Sequence, residues 1–234
     1  MSVRVDIREG TGLLLLDRPQ KAHAYDREHL LALQAGFREL HAQVPVIVVG
    51  STGDRAFCAG ADLGAMADVD PLAALDLLSQ LVFTEIHRAT CVTIVAVQGA
   101  AVAGGCELAL AADLRVVGPR ASFSLPETSL GIIPSAGGCT RLTRLVGPSR
   151  AKQVILAGRK LDADTAVSWG LAMERRDDPL AAALELAATL RRRDPLAQRL
   201  AKQIIDRTED AGSLDAERLA EALLYSQRGA AGDD

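Results

Sequence analysis

Aromatic residues are scarce: one tryptophan, two tyrosines and four phenylalanines make up 3% of the 234 residues. A surface that stacks several nucleobases needs more rings than that. The net charge of −4 also removes the basic field on which nucleic-acid affinity rests. Long apolar runs are missing as well, because acidic or basic residues interrupt every stretch approaching the ~20 residues of a membrane span. Met1-Ser-Val-Arg-Val-Asp6 has neither the charged start nor the apolar stretch of a signal peptide, so a cytoplasmic location is expected. Cysteine is limited to Cys58, Cys91, Cys106 and Cys139, with no C-x-x-C pair and no histidines at ligand spacing. That pattern disfavours a zinc site or a disulfide frame and predicts reduced thiols in or near the core. No phosphate-loop and no G-x-G-x-x-G signature is present, so neither nucleotide fingerprint applies.

What is present is a composition 49% hydrophobic and 24% charged, ample for a globular core of one domain with a helical extension. The most informative stretch is Val92 to Asp113. Val92 to Val97 is β-branched and apolar, as a strand covered on both faces would be. Gly99, Gly104 and Gly105 then permit a turn and a close approach, and Ala- and Leu-rich sequence follows as a helix. A helix opening at Gly104-Gly105 presents unpaired N–H groups to a partial negative charge. Glu107, in its first turn, has two readings: it complements the helix dipole, or it is a desolvated carboxyl that exchanges protons with a substrate or a bound water.

Around this stretch, Val3 to Ile7 and Leu13 to Leu16 predict a hairpin, and Asp26 caps a helix running to about Ala42. Val44 to Ser51 reads as a buried strand, Thr52 to Leu63 as a glycine-bearing loop, and Pro71 to Ala89 as a helix. Short strands are expected at Leu114 to Val117, Ala121 to Phe123 and Leu171 to Glu174, with a long irregular loop from Leu125 to Gly138. From Cys139 onward the pattern is mostly helical, and the run Arg191-Arg-Arg193 reads as dipole complementation on a solvated face. Strands separated by helices imply parallel βαβ units. The fold class is therefore α/β, with a core over 1–175 and a helical C-terminal region over 176–234.

Four segments in order carry a resemblance: Arg18-Pro-Gln-Lys-Ala22, Ala56-Phe-Cys-Ala-Gly-Ala-Asp-Leu63, Gln98-Gly-Ala-Ala-Val-Ala-Gly-Gly-Cys-Glu-Leu-Ala109 and Phe123-Ser-Leu-Pro-Glu-Thr-Ser-Leu-Gly-Ile-Ile-Pro-Ser-Ala-Gly-Gly138. Together they resemble the crotonase superfamily, the enoyl-CoA hydratase/isomerase family. The resemblance implies a crotonase-like spiral of βαβ units, a helical region used for trimers or dimers of trimers, and a coenzyme A thioester as substrate with no separate cofactor and no metal. It puts an oxyanion hole at the N–H groups of Ala61 and Gly104, where a thioester oxygen gaining negative charge would be stabilised. The two catalytic glutamates fall on Glu107 and Glu127, twenty positions apart. Lys21 and Ala22 are expected near the pantetheine and phosphates, Ala59, Asp62 and Leu63 around the adenine and thiol end, and Gly105, Pro126 and Gly131 along the substrate. Asp62 reads more as a brace for its loop than as a ligand contact.

Retention of both glutamates favours hydration of a 2-enoyl-CoA to a 3-hydroxyacyl-CoA, with Glu127 moving the proton and Glu107 orienting the water. A Δ3-Δ2-enoyl-CoA isomerase, a specialised acyl-CoA hydrolase or lyase, and a non-catalytic acyl-CoA-binding subunit are the alternatives. His23 stands where the family usually has asparagine, either as a structural residue or as a further titrating group near the thioester.

Overall fold

The computed structural model describes residues 3–62, 77–206 and 222. Leu63, the beginning of the helix expected from Pro71, and the C-terminal stretch beyond 206 apart from 222 lie outside the described residues.

Strands β1 (Val3–Arg8) and β2 (Thr11–Leu16) form the expected hairpin. Its two-residue turn, Glu9 and Gly10, has positive φ at both positions, as a turn matching the strand twist requires. Helix α1 (Arg27–His41) starts where Asp26 accepts a hydrogen bond from the His29 N–H, and it buries Leu30, Leu33, Phe37 and Leu40 at helical spacing. Strand β3 (Val46–Ser51) is buried throughout. The expected loop from Thr52 contains a three-residue strand, β4 (Ala56–Cys58), followed by helix α2 (Leu78–His87).

The chain then repeats this plan. Strand β5 (Val92–Val97) leads into β6 (Ala100–Val102) and helix α3 (Gly104–Ala111). Strand β7 (Leu114–Val117) leads into β8 (Ser122–Ser124) and helices α4 (Gly138–Val146) and α5 (Pro148–Ile155). Each turn places one strand in a six-stranded sheet and the next in a four-stranded sheet, which is the geometry of a spiral. After β9 (Leu161–Asp162), helix α6 (Ala163–Ser168) and β10 (Glu174–Arg175), the sheet orders are β1-β2-β3-β5-β7-β10 and β4-β6-β8-β9. All neighbours in the large sheet after β1–β2 are parallel. The expected last strand, Leu171 to Glu174, is thus only the two residues Glu174–Arg175.

Alternation along β3 and β5 explains why both read as continuously apolar. Ile47, Val49, Val95 and Val97 point into the main core with α1, α2 and α3. Val46, Val48, Ile94 and Ala96 point to the other face, where Ala182, Ala183 and Ala187 of helix α7 (Pro179–Arg191) cover them. Helix α7 therefore closes the second face of the sheet. Helix α8 (Pro195–Asp206) is tied on by Lys202, which donates to Asp113 Oδ2 at 2.9 Å and to the Cys91 carbonyl at 3.1 Å. Cys58, Cys91 and Cys106 are buried free thiols, and Cys139 is partly buried.

Candidate active site

All eight residues of helix α3 are buried. Its glycines are required by contact. A Cβ on Gly105 would lie 2.0 Å from the Cys58 carbonyl oxygen, so α3 can lie against β4 only with glycine there. Just before it, Ala103 holds φ 50° and ψ −126°, a conformation that L side chains rarely adopt. That strained residue makes the turn from β6 into α3, so that Gly104 opens the helix.

The second backbone donor comes from the loop after β4. Tyr25 and Ala61 form an isolated parallel bridge: the Tyr25 N–H donates to Gly60 O at 2.9 Å, and the Asp62 N–H donates to Tyr25 O at 2.8 Å. This pattern uses the groups on either side of Ala61 and leaves its own N–H turned away from the bridge. The Gly60 peptide lies against the start of α3, since a Cβ at Gly60 would stand 3.2 Å from the Gly104 nitrogen. The two donor peptides are therefore neighbours.

Glu107 is 4% exposed and Glu127 5%. The Glu107 Oε1 accepts from the Ala136 and Gly138 N–H groups, both at 2.8 Å. Its carboxyl thus engages the first turn of α4 rather than its own helix terminus, and two donors fix its orientation. The loop supplying them is held from behind: Gln80 donates to Ser135 O at 2.7 Å, and Arg141 donates to Ala136 O at 2.8 Å. Glu127 begins a short 3-10 turn, Glu127–Leu130, pinned where Thr128 Oγ1 donates to Ile155 O at 2.8 Å. Both carboxylates act on the same neighbours. Burial first, then Glu127 and Glu107, push the Cys106 thiol well up; burial first, with Glu107 the larger carboxylate effect, does the same to the Tyr25 phenol.

A cavity of about 340 Å³ joins these groups. Ala59, Ala61, Asp62, Gly104, Glu107, Pro126 and Glu127 line it, together with the apolar Leu30, Leu77, Leu78, Val102, Leu130, Ile132 and Ile133. Lys21, Ala22, Gly105 and Gly131 do not. Lys21 is ion-paired to Asp62 at 3.2 Å, and Ala22 accepts a hydrogen bond from the Ala59 N–H at 3.0 Å, so both support the rim from outside. Gly105 is buried behind the helix start, and Gly131 ends the 3-10 turn in a left-handed conformation. Asp62 also lies 3.7 Å from Arg18, in keeping with its expected role as a brace.

His23 is a buried brace as well. Its Nδ1 accepts from the Arg18 N–H at 3.1 Å, which makes Nε2 the protonated nitrogen that donates to the Thr52 carbonyl at 2.9 Å. It does not line the cavity. Tyr25 and Ser79 do line it, and no motif or periodicity had singled them out; Ser135, within the Phe123–Gly138 segment, lines it too.

The enoyl-CoA hydratase/isomerase family model matches residues 6–232, and the chain belongs to that family of enzymes acting on acyl-CoA thioesters. It is 39% identical over 222 residues to an Arabidopsis thaliana protein described as "Probable enoyl-CoA hydratase 2, mitochondrial", covering 91% of this chain and 74% of the relative. Among solved structures, Pseudomonas aeruginosa DspI has a TM-score of 0.84 at 33% identity, covering 99% of this chain and 94% of that one. An enoyl-CoA hydratase from Bacillus anthracis has a TM-score of 0.84 at 30% identity, covering 96% and 92%. The crotonase-like spiral implied by the sequence is the fold observed.

Proposed function

We propose that the protein is an enoyl-CoA hydratase that adds water across the 2,3 double bond of a 2-enoyl-CoA. The observation that carries this reading is one cavity lined by two buried glutamates and by the residues of two adjacent backbone donors, Ala61 and Gly104. A carbonyl oxygen between those N–H groups would gain charge as the reaction proceeds, and fixed donors stabilise that charge without reorganising.

In this mechanism the thioester oxygen sits at the Ala61 and Gly104 N–H groups. Glu107, its Oε1 committed to Ala136 and Gly138, orients one water over Cβ. Glu127 takes a proton from that water as the oxygen–Cβ bond forms, and the π electrons move through Cα to the thioester oxygen. The proton then returns from Glu127 to Cα, so that one water is added in full. Ala59 would lie near the adenine and thiol end of coenzyme A, on a wall that Asp62 braces, with Lys21 and Ala22 nearer the pantetheine and phosphates and Pro126, Gly105 and Gly131 along the acyl group.

Under the same reading coenzyme A is part of the substrate and no further cofactor is needed. The helical region from 176 would serve a homotrimer or a dimer of trimers, and the enzyme would work in the cytoplasm. Among the described residues, no helix is long and apolar enough to cross a membrane.

The test is to mix the protein with crotonyl-CoA and follow the loss of enoyl-thioester absorbance. Glu127→Gln should slow it by about 10²–10⁴-fold, the usual contribution of a positioned acid–base group. Glu107→Gln should also slow it while leaving the fold intact, because the amide oxygen still accepts from Ala136 and Gly138. Turnover that is indifferent to Glu127→Gln would sink the paired-carboxylate mechanism. A product that keeps its double bond at a new position would assign the protein to isomerisation.

A further inference from the structure

Tyr25 touches both halves of the donor pair. Its main chain forms the bridge that holds the Gly60–Asp62 strand segment in place, through bonds of 2.9 and 2.8 Å. Its side chain reaches the other half, for a Cβ on Gly104 would stand 1.8 Å from the Tyr25 hydroxyl oxygen and 2.8 Å from Cζ. The hydroxyl therefore fills the space directly outside the Gly104 Cα, and glycine at 104 is what allows it. The ring is fixed edge-on to Phe83 at 5.9 Å and 87°. Its hydroxyl is hydrogen-bonded to Ser79 of α2.

A ring present only to fill the core could equally be phenylalanine. Here the polar end is anchored on a separate helix and pressed against one donor residue, while the same residue's backbone braces the other. We infer that Tyr25 is the positioning residue for the oxyanion donors, setting the spacing between the Ala61 and Gly104 N–H groups through its backbone bridge and its Ser79-anchored hydroxyl. The inference deepens the hydratase reading and rests on it. Its consequence is kinetic: a donor moved by about 1 Å misses the developing charge, and misplacements of that size reach 10²-fold in rate.

The experiment compares wild type, Tyr25→Phe and Ser79→Ala. Tyr25→Phe keeps the ring and the backbone bridge and removes only the hydroxyl. It should lower kcat about tenfold, the effect of one buried hydrogen bond, with KM nearly unchanged, since the donors act most strongly on the transition state. A bound 4-dimethylaminocinnamoyl-CoA reports the same geometry independently, because its absorbance moves to longer wavelength as the thioester oxygen is polarised. That shift should shrink in Tyr25→Phe and in Ser79→Ala, and the double variant should be no worse than Tyr25→Phe alone, as expected for two ends of one bond. Wild-type kcat and a wild-type band in Tyr25→Phe, or a change in KM alone with the band unmoved, would overturn the assignment while leaving the hydratase reading in place. A wild-type protein that neither hydrates crotonyl-CoA nor shifts the probe would overturn both.

Discussion

The Gly104 and Ala61 sides of the site are built in unlike ways. Gly104 opens a helix buried along its whole length, set against β4 so closely that a single methyl group at Gly105 would strike the Cys58 backbone. Ala61 sits beside Asp62, whose carboxylate is shared by Arg18 and Lys21 within reach of water, on a loop braced by His23 and Tyr25. One side is fixed by close-packed backbone, which cannot yield gradually. The other is fixed by polar contacts, each worth little and each sensitive to solvent conditions. The difference teaches that precision in the site comes from packing on the helix side, and that adjustment can come only from the loop side.

The comparison breaks most severely at Gly105. Gly105→Ala should destabilise the fold by about 3 kcal/mol or more, because the obstructing atoms are backbone rather than a flexible side chain. Urea unfolding would show it as a lower midpoint, and a wild-type midpoint would mean that α3 can move off β4.

Next in size is Glu107→Ala. It strands the Ala136 and Gly138 N–H groups in a buried place, at a cost of about 2–3 kcal/mol in thermal or urea stability. Glu107→Gln should recover most of that stability but not the activity, separating the residue's structural role from its chemical one.

On the loop side, His23 gives a pH dependence. Burial holds its imidazole below the ordinary histidine value, only partly offset by the Thr52 carbonyl and by Asp17. The folded state therefore favours the neutral ring: its contribution is full above the unfolded value of about 6.5 and is lost as pH falls through the lower folded value. Protonation would also put a proton on the Nδ1 that accepts from Arg18. Stability should decline between neutral pH and the acid range, and His23→Asn should flatten that part of the curve. An unchanged slope would show that His23 titrates alike in both states.

The smallest effect belongs to Lys21→Ala. Its ion pair with Asp62 is more than half exposed on the lysine side, so stability should change by less than about 0.5 kcal/mol. A larger loss would mean that the loop side is as rigid as the helix side.

Much of the site was legible because its signals are local. Glu107 stands alone among apolar residues in a helix start, and the glycine pair before it marks a close approach. The strands β4 and β6 were not legible, because three residues are too few to show a period of two and their pairing partners lie more than forty positions apart. Tyr25 gave no signal at all: nothing along the sequence says that its hydroxyl meets Gly104, seventy-nine positions later. Nor could sequence decide between the two readings of Glu107. Its carboxyl serves the first turn of α4, which only the folded chain brings to it.

Composition, periodicity and the four ordered segments determined an α/β chain, its buried parallel strands, the glycine-marked helix start and the pair of glutamates. These follow from short-range rules: helix and strand periods, caps and the special freedom of glycine. The tertiary structure alone decided that one spiral of paired short strands brings the Ala61 loop, the start of α3, the 3-10 turn of Glu127 and the hydroxyl of Tyr25 to a single cavity. Such a meeting depends on loop closures and packing between segments far apart in the chain, whose free energy belongs to no one of them.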